Sequence, residues 1–260
     1  MLKFFRKIRQ NLIAENKLRK YVVYAVGEIM LVVIGILIAL QLNTLNENKK
    51  NRGYEREYLL RIKSDLNKDL TELEGHFKSD TLKLNSATFL GRLMHSDTIE
   101  TKPEIILNHF FSNFRLNWFE GKNVVFDEMK SSGKISLIVS DSVRNKIQNY
   151  YRLFDEVIKQ ENLNIGFIIK SNERISASVN IGPFIEFGMP KRWNASAKQL
   201  TMNDFSNIFN NFSKNQKSLF SENYSLMKQQ ILGSNAIRLN LYEEGIQLTR
   251  LIDDYLEHSK

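Results

Sequence analysis

The sequence predicts an all-α protein, with an N-terminal transmembrane helix followed by an elongated extracytoplasmic helical bundle. Three observations carry that reading. One stretch, residues 21–42 (YVVYAVGEIMLVVIGILIALQL), is strongly apolar and carries a single charge, Glu28. Only 3 prolines and 12 glycines interrupt 260 residues, which suits long helices and not a loop-rich or all-β chain. Beyond the apolar stretch, nonpolar side chains recur every three or four residues over three long segments, the spacing of one helix face.

The apolar stretch is 22 residues long. At about 1.5 Å per residue it reaches roughly 33 Å, enough for a hydrocarbon core of roughly 30 Å. Residues 30–40 are apolar or glycine on every side, whereas a soluble core helix normally keeps a polar face. A cleaved signal peptide fits poorly. The apolar run exceeds the usual 7–15 residues, and Gln41 occupies the position where a small residue precedes cleavage. An uncleaved signal-anchor is expected.

Orientation follows from charge. Residues 1–20 carry seven Lys or Arg against one acid, Glu15, while residues 43–62 carry five against three. Positive charge resists translocation, so the N-terminus is expected in the cytoplasm and the bulk of the chain beyond the inner membrane, in a periplasm if the cell has one. Within 1–20, Leu2, Phe5, Ile8 and Leu12 recur at helical spacing among basic residues. This tail is either a basic amphipathic helix on anionic lipid or a plain positive flank. It also accounts for most of the net charge of +8: residues 21–260 hold 30 basic and 28 acidic side chains. No basic domain for nucleic acid is expected.

The segment GEIMLVVIGILIALQLN over 27–43, preceded by KFFRKIR over 3–9 and joined later by SSGKI over 131–135, resembles a widespread family of bacterial membrane proteins of unknown function. The resemblance implies a single-pass bacterial membrane protein. It implies no activity and no catalytic residues.

Residues 43–53 are polar and without proline, so they form either a short linker or a continuation of the membrane helix. The bundle domain is assigned to 54–260. Its first helix shows apolar positions at 59, 62, 66, 70, 73 and 77, with Asp65, Lys68, Asp69 and Glu72 read as its wet side. It can continue through Leu84, Ala87 and Met94, and should stop by 95–97. Thr101, Pro103 and Glu104 form a capping-box pattern that opens a helix to about Trp118. A short helix over about 124–132 should end at Gly133, a residue suited to the left-handed C′ position.

Ser140 or Asp141 caps the longest expected helix, about 142–179, whose stripe of Val143, Ile147, Tyr150, Phe154, Val157, Ile165, Ile168, Ile175 and Val179 is interrupted by Glu161 and Asn172. A loop over 181–200 follows, and Thr201 with Asp204 caps a short helix. The last helix is expected over about 221–257, with Ser234, Arg238 and Gly245 as irregular members of its stripe.

Three groups of side chains are singled out. Glu28 shares a helix face with Gly35 and Ala39, and small residues at that spacing let a second helix approach closely. Two readings stay open: a membrane-embedded partner face, or a glutamate that snorkels to the headgroups about 12 Å away along the helix. Glu161, Asn172 and Arg238 are candidates for buried polar contacts that fix register or line a pocket. Phe184, Phe187, Lys191, Arg192 and Trp193 make a candidate contact loop.

Cysteine is absent, which excludes disulfides and a thiol nucleophile. His76, His95, His109 and His258 show no metal-ligand spacing and read as solvated or capping residues. No phosphate-cradling motif occurs. No catalytic, metal or cofactor residues are therefore assigned, and no enzyme is expected. The expected role is a membrane-anchored scaffold or accessory protein of the cell envelope that binds another protein or a second copy. The alternative is a ligand-sensing bundle that signals through its membrane helix.

Overall fold

The computed structural model describes residues 18–96, 101–114, 117–178, 180, 182, 203, 207 and 210–258. Among these, every regular element is helical. In chain order they are α1 (Leu18–Leu93), α2 (Pro103–Phe114), α3 (Val124–Ser131), a 3₁₀ turn (Lys134–Leu137), α4 (Asp141–Ser178) and α5 (Lys214–His258). The chain divides into two compact units, Met1–Glu57 and Tyr58–Lys260, and the division falls inside α1. Residues 43–53 are thus helical, which answers the linker question in favour of continuation.

The described part of the first unit is α1 alone. Its large apolar side chains point outward with nothing packed over them: Leu31 is 73% exposed and Leu45 65%. Among the described residues α1 is the one helix long and apolar enough to cross a membrane, and none of its most apolar window is buried. The tail over 1–17 lies outside the described residues.

The second unit holds two apolar clusters. One gathers Leu59, Ile62, Leu66 and Leu73 of α1 with Met129 of α3, Ile147, Tyr150, Phe154 and Val157 of α4, and Leu241, Leu248 and Ile252 of α5. The other gathers Ala87, Leu90 and Leu93 of α1 with Ile106, Leu107 and Phe110 of α2, Ile175 of α4, and Phe220, Tyr224 and Met227 of α5. From the first cluster to the second, residue numbers rise along α1 and α4 and fall along α5. The first two therefore run in the same direction and α5 runs against them. Burial of these side chains supplies the main drive for folding, about 1.5–3 kcal/mol for each large one fully removed from water.

Local signals set most helix ends. Gly133 has φ +70, the left-handed conformation expected of it, and closes α3. The Ser140 hydroxyl accepts the Val143 N–H at 3.4 Å and so caps α4. Helix α4 is not the longest: α1 has 76 residues and α5 has 45 against its 38. Two ends differ from expectation. Helix α2 stops at Phe114, short of Trp118, which is 42% exposed beyond it. Helix α5 starts seven residues early, because Ser213 and Gln216 form a reciprocal capping box: Gln216 N–H donates to Ser213 Oγ at 3.2 Å and Ser213 N–H to Gln216 Oε1 at 2.9 Å. The apolar stripe begins later than the cap, so periodicity alone missed it.

Gly245 is the one glycine that the packing of α5 demands. A Cβ there would lie 3.1 Å from Leu70 Cδ2 and 3.1 Å from Tyr150 Cε2, so its place in the stripe is a close approach of three helices.

Candidate functional site

Helix α1 carries two neighbouring stripes in the bundle. The apolar one was read from its spacing. The second comprises Asp65, Asp69, Glu72, His76, Asp80 and Lys83, also spaced three or four residues apart, and it turns inward as well. Asp65, Asp69, His76, Asp80 and Lys83 are all buried. The expectation that Asp65 and Asp69 line a wet face is therefore corrected, as is that of a solvated His76. Charged residues are seldom buried without partners, and here the partners come from distant parts of the chain.

The centre of this stripe is Arg238 of α5. Its Nη1 donates to Asp80 Oδ2 of α1 at 2.5 Å, its Nε donates to Glu161 Oε1 of α4 at 2.7 Å, and its Nη2 lies 2.5 Å from the same Glu161 oxygen as an ion pair. All three side chains are at least 95% buried. Lys83 Nζ stands 4.0 Å from the other oxygen of Asp80. Burial raises the Glu161 carboxyl above its ordinary range despite the guanidinium beside it. Two carboxylates, one guanidinium and one ammonium thus balance in charge. They occupy a polar layer between the two apolar clusters on each of the three long helices.

Of the three residues that sequence reasoning named as candidate buried contacts, the structure brings Glu161 and Arg238 together. It missed Asp80, whose only signal was its three-or-four-residue spacing in the row Asp69, Glu72, His76 and Lys83. Asn172 does not join them. It lies eleven residues beyond Glu161 on α4, about 16 Å along the axis, where its backbone carbonyl accepts the Ser176 hydroxyl.

Asp69 and Glu72 of the stripe are likewise tied to distant segments. The Tyr150 hydroxyl donates to Asp69 Oδ2 at 2.8 Å, while Asp69 Oδ1 is buried without a well-formed hydrogen bond. Burial pushes the Asp69 carboxyl up to about 7, against the pull of the Tyr150 hydrogen bond. Glu72 accepts the backbone N–H groups of Glu120 and Gly121. Burial, and then the charge of Arg238, hold His76 below its ordinary value, so its 3.8 Å approach to Glu72 is not an ion pair at neutral pH. His109 is half-buried, not solvated: its Nδ1 lies 2.9 Å from Ser86 Oγ and its ring against Phe89.

Beside the charged layer opens a cleft lined by α1, α2, α4 and α5. Asp80, Glu161 and Arg238 line it together with the apolar Ile165, Ile168 and Ile231. Its cavity volume is about 40 Å³, room for one or two water molecules. Asn164 Nδ2 donates to Ser234 Oγ at 2.5 Å across the cleft, joining α4 to α5.

On the membrane-type stretch of α1, Glu28 is half-buried, and Gly35 and Ala39 are exposed. A Cβ added at Gly35 would meet nothing within 4 Å. The candidate contact loop, Phe184, Phe187, Lys191, Arg192 and Trp193, lies outside the described residues, as does most of the short helix expected after Thr201.

No curated protein and no solved structure matches the chain. Residues 28–186 match the model of a family of unknown function, DUF6090. The matched range includes SSGKI at 131–135 but not KFFRKIR at 3–9, two of the segments that suggested a family resemblance. Because the match spans more than half of the chain, the protein belongs to the DUF6090 family, a family of unknown function.

Proposed function

We propose that this protein is a single-pass membrane scaffold or accessory protein of the cell envelope, with its N-terminus in the cytoplasm and its helical domain beyond the inner membrane, where it binds another protein or a second copy. The observation that carries the reading is the contrast in packing along α1: an apolar stretch with nothing over it, then a stretch that forms one wall of a filled bundle. The first stretch calls for lipid. Gly35 supports a partner in the membrane, because no contact among the described residues requires a small residue there. A non-enzymatic role is favoured because Asp80, Glu161 and Arg238, the charged groups at the centre of the bundle, are engaged with one another.

Crosslinking in intact membranes followed by purification and mass spectrometry tests the role. Crosslinks from the helical domain to one envelope protein, or to a second copy, are expected. Crosslinks confined within single chains would sink the reading. Topology is tested separately, and the absence of native cysteine makes this clean. A Ser132→Cys variant, exposed on the bundle, should react with a membrane-impermeant maleimide in spheroplasts. Labelling only after lysis would reverse the orientation.

A second reading, a ligand-sensing bundle, is favoured by one feature, the cleft beside the charged layer, which touches all three long helices.

A further inference from the structure

We propose that residues 117–123, the segment between α2 and α3, form a strap that is latched over the charged stripe of α1 and is released in acid when His76 takes up a proton. The strap is defined by how it is held. Glu120 and Gly121 donate their backbone N–H groups to the two oxygens of Glu72 at 2.8 and 3.4 Å. The N–H groups on either side, of Phe119 and Lys122, act on the carboxylates of Glu161 of α4 and Asp69 of α1. Phe119 is driven into the core at 1% exposure, its ring edge-on to His76 at 6.3 Å and to Phe154 at 5.6 Å. Gly121 has φ +59, and a Cβ there would collide with the rings of Phe119 and Phe154, so the turn that seats Phe119 requires glycine. The flanking Trp118, Glu120 and Lys122 are exposed, and the segment has no regular structure of its own. One buried ring and a row of N–H bonds hold it, which lets it open without unfolding the helices.

His76 is the release. It is 4% exposed, and its Nδ1 has no hydrogen-bond partner. Its Nε2 stands 3.8 Å from Glu72 Oε1, the oxygen that already accepts the Glu120 N–H. A neutral imidazole is tolerated there. An imidazolium presents a second N–H donor with no acceptor in a buried place, and competes with the strap for Glu72. The charged groups acting on the ring are Arg238 of α5 and Lys83, which repel a proton, and Asp80 and Glu72, which attract one. Asp80 is already engaged by Arg238 and Lys83. The strap's own charges, Glu120 and Lys122, are exposed. Burial and then Arg238 prevail, and hold the ring below its ordinary 6.5. Lifting Phe119 returns the ring to water, where it binds a proton more tightly. Closure is therefore complete above about pH 6.5 and weakens as pH falls below it. Asp69 does not share in this local step, because its bond to Tyr150 joins α1 to α4 without the strap.

The device does not depend on what the protein binds, and it is read on the chain alone. The test is hydrogen–deuterium exchange of the full chain in nonionic detergent micelles, from about pH 7.5 to about pH 5, corrected for the intrinsic pH dependence of exchange. The Glu120 and Gly121 amides should lose protection by about threefold or more on acidification, while the core of α4 around Ile147 and Tyr150 does not fall in step. His76→Gln, with His76→Phe as a second replacement that carries no proton, should hold strap protection constant over the same range. Asp69→Asn should leave the acid loss in place. The proposal is overturned if the native chain shows no acid loss at the strap, if a folded His76 variant retains it, or if Asp69→Asn abolishes it. In the native chain the His76 ring resonance must also titrate over the interval in which strap protection is lost, and a mismatch overturns the proposal without recourse to any variant.

Discussion

In the first stretch of α1, Ile29, Leu31 and Leu37 are 63%, 73% and 57% exposed, whereas Leu59, Ile62, Leu66 and Leu73 of the same helix are wholly buried. The second stretch also hides Asp69 and Asp80, while the first carries a single acid, Glu28, from residue 21 to residue 42. The difference teaches how one helix serves two surroundings. Where no protein covers it, the helix is apolar nearly all round and keeps charge to a minimum, the composition that a lipid-facing helix would need. Where other helices cover it, charge is admitted, because α4 and α5 supply a hydroxyl and a guanidinium for the carboxylates of α1.

Breaking the charged layer should show the largest effect. Arg238→Met leaves Asp80 and Glu161 buried without their cation, and should destabilise the bundle by about 3–5 kcal/mol in urea unfolding of the detergent-solubilised chain. Replacing Asp80, Glu161 and Arg238 together with apolar residues of similar volume should recover most of that loss. If the single and triple variants are equally unstable, the layer does not act as a paired unit.

Truncating one leucine in each stretch probes the contrast directly. Leu66→Ala removes a fully buried side chain, and should cost about 2–5 kcal/mol. Leu37→Ala, in the exposed stretch, should change the same unfolding transition by less than about 0.5 kcal/mol. Similar losses in both would mean that the first stretch is packed against protein.

Acidity sharpens the comparison further. The folded carboxyl of Asp69 titrates near 7, well above its ordinary 3.8. A raised folded value means that the native state holds the proton more tightly. The associated stability is complete below about pH 4 and is lost as pH rises through about 7. The loss is at most about 4 kcal/mol at 1.36 kcal/mol per pK unit. Asp69→Asn should flatten that part of the stability–pH curve; a curve unchanged by the substitution would remove Asp69 as its source.

The smallest expected effect concerns close approach. Gly245→Val pushes a branched side chain against Leu70 and Tyr150, and should cost about 1–3 kcal/mol. The same change at Gly35, where an added Cβ meets nothing, should leave bundle unfolding unaltered. A loss of crosslinked partner in Gly35→Val would then locate a contact in the membrane.

Much of this architecture is written locally. The stripe 59, 62, 66, 70, 73 and 77 has helical spacing, and Gly133 and Ser140 mark two helix ends by their backbone and side-chain chemistry. Each involves residues within about one turn, so sequence spacing is enough. The Ser213–Gln216 box was equally local and was overlooked only because the apolar stripe starts later. The inward turn of Asp65, Asp69 and Asp80 was not legible. An aspartate beside an apolar stripe reads as solvated unless its partner is known, and Tyr150 and Arg238 lie 81 and 158 residues away from the carboxylates they bind.

By itself, the sequence determined that the chain is helical, where an apolar stretch long enough for a membrane lies, and which side chains of each helix form its apolar face. Those properties depend on contacts within a few residues and on the contrast between water and hydrocarbon. Only the tertiary structure decided that a second, charged face of α1 is buried and that Asp80 completes the contacts of Arg238 and Glu161. The physical reason is that burying charge is favourable only when opposite charge and hydrogen bonds arrive together, and here three helices must assemble before they do.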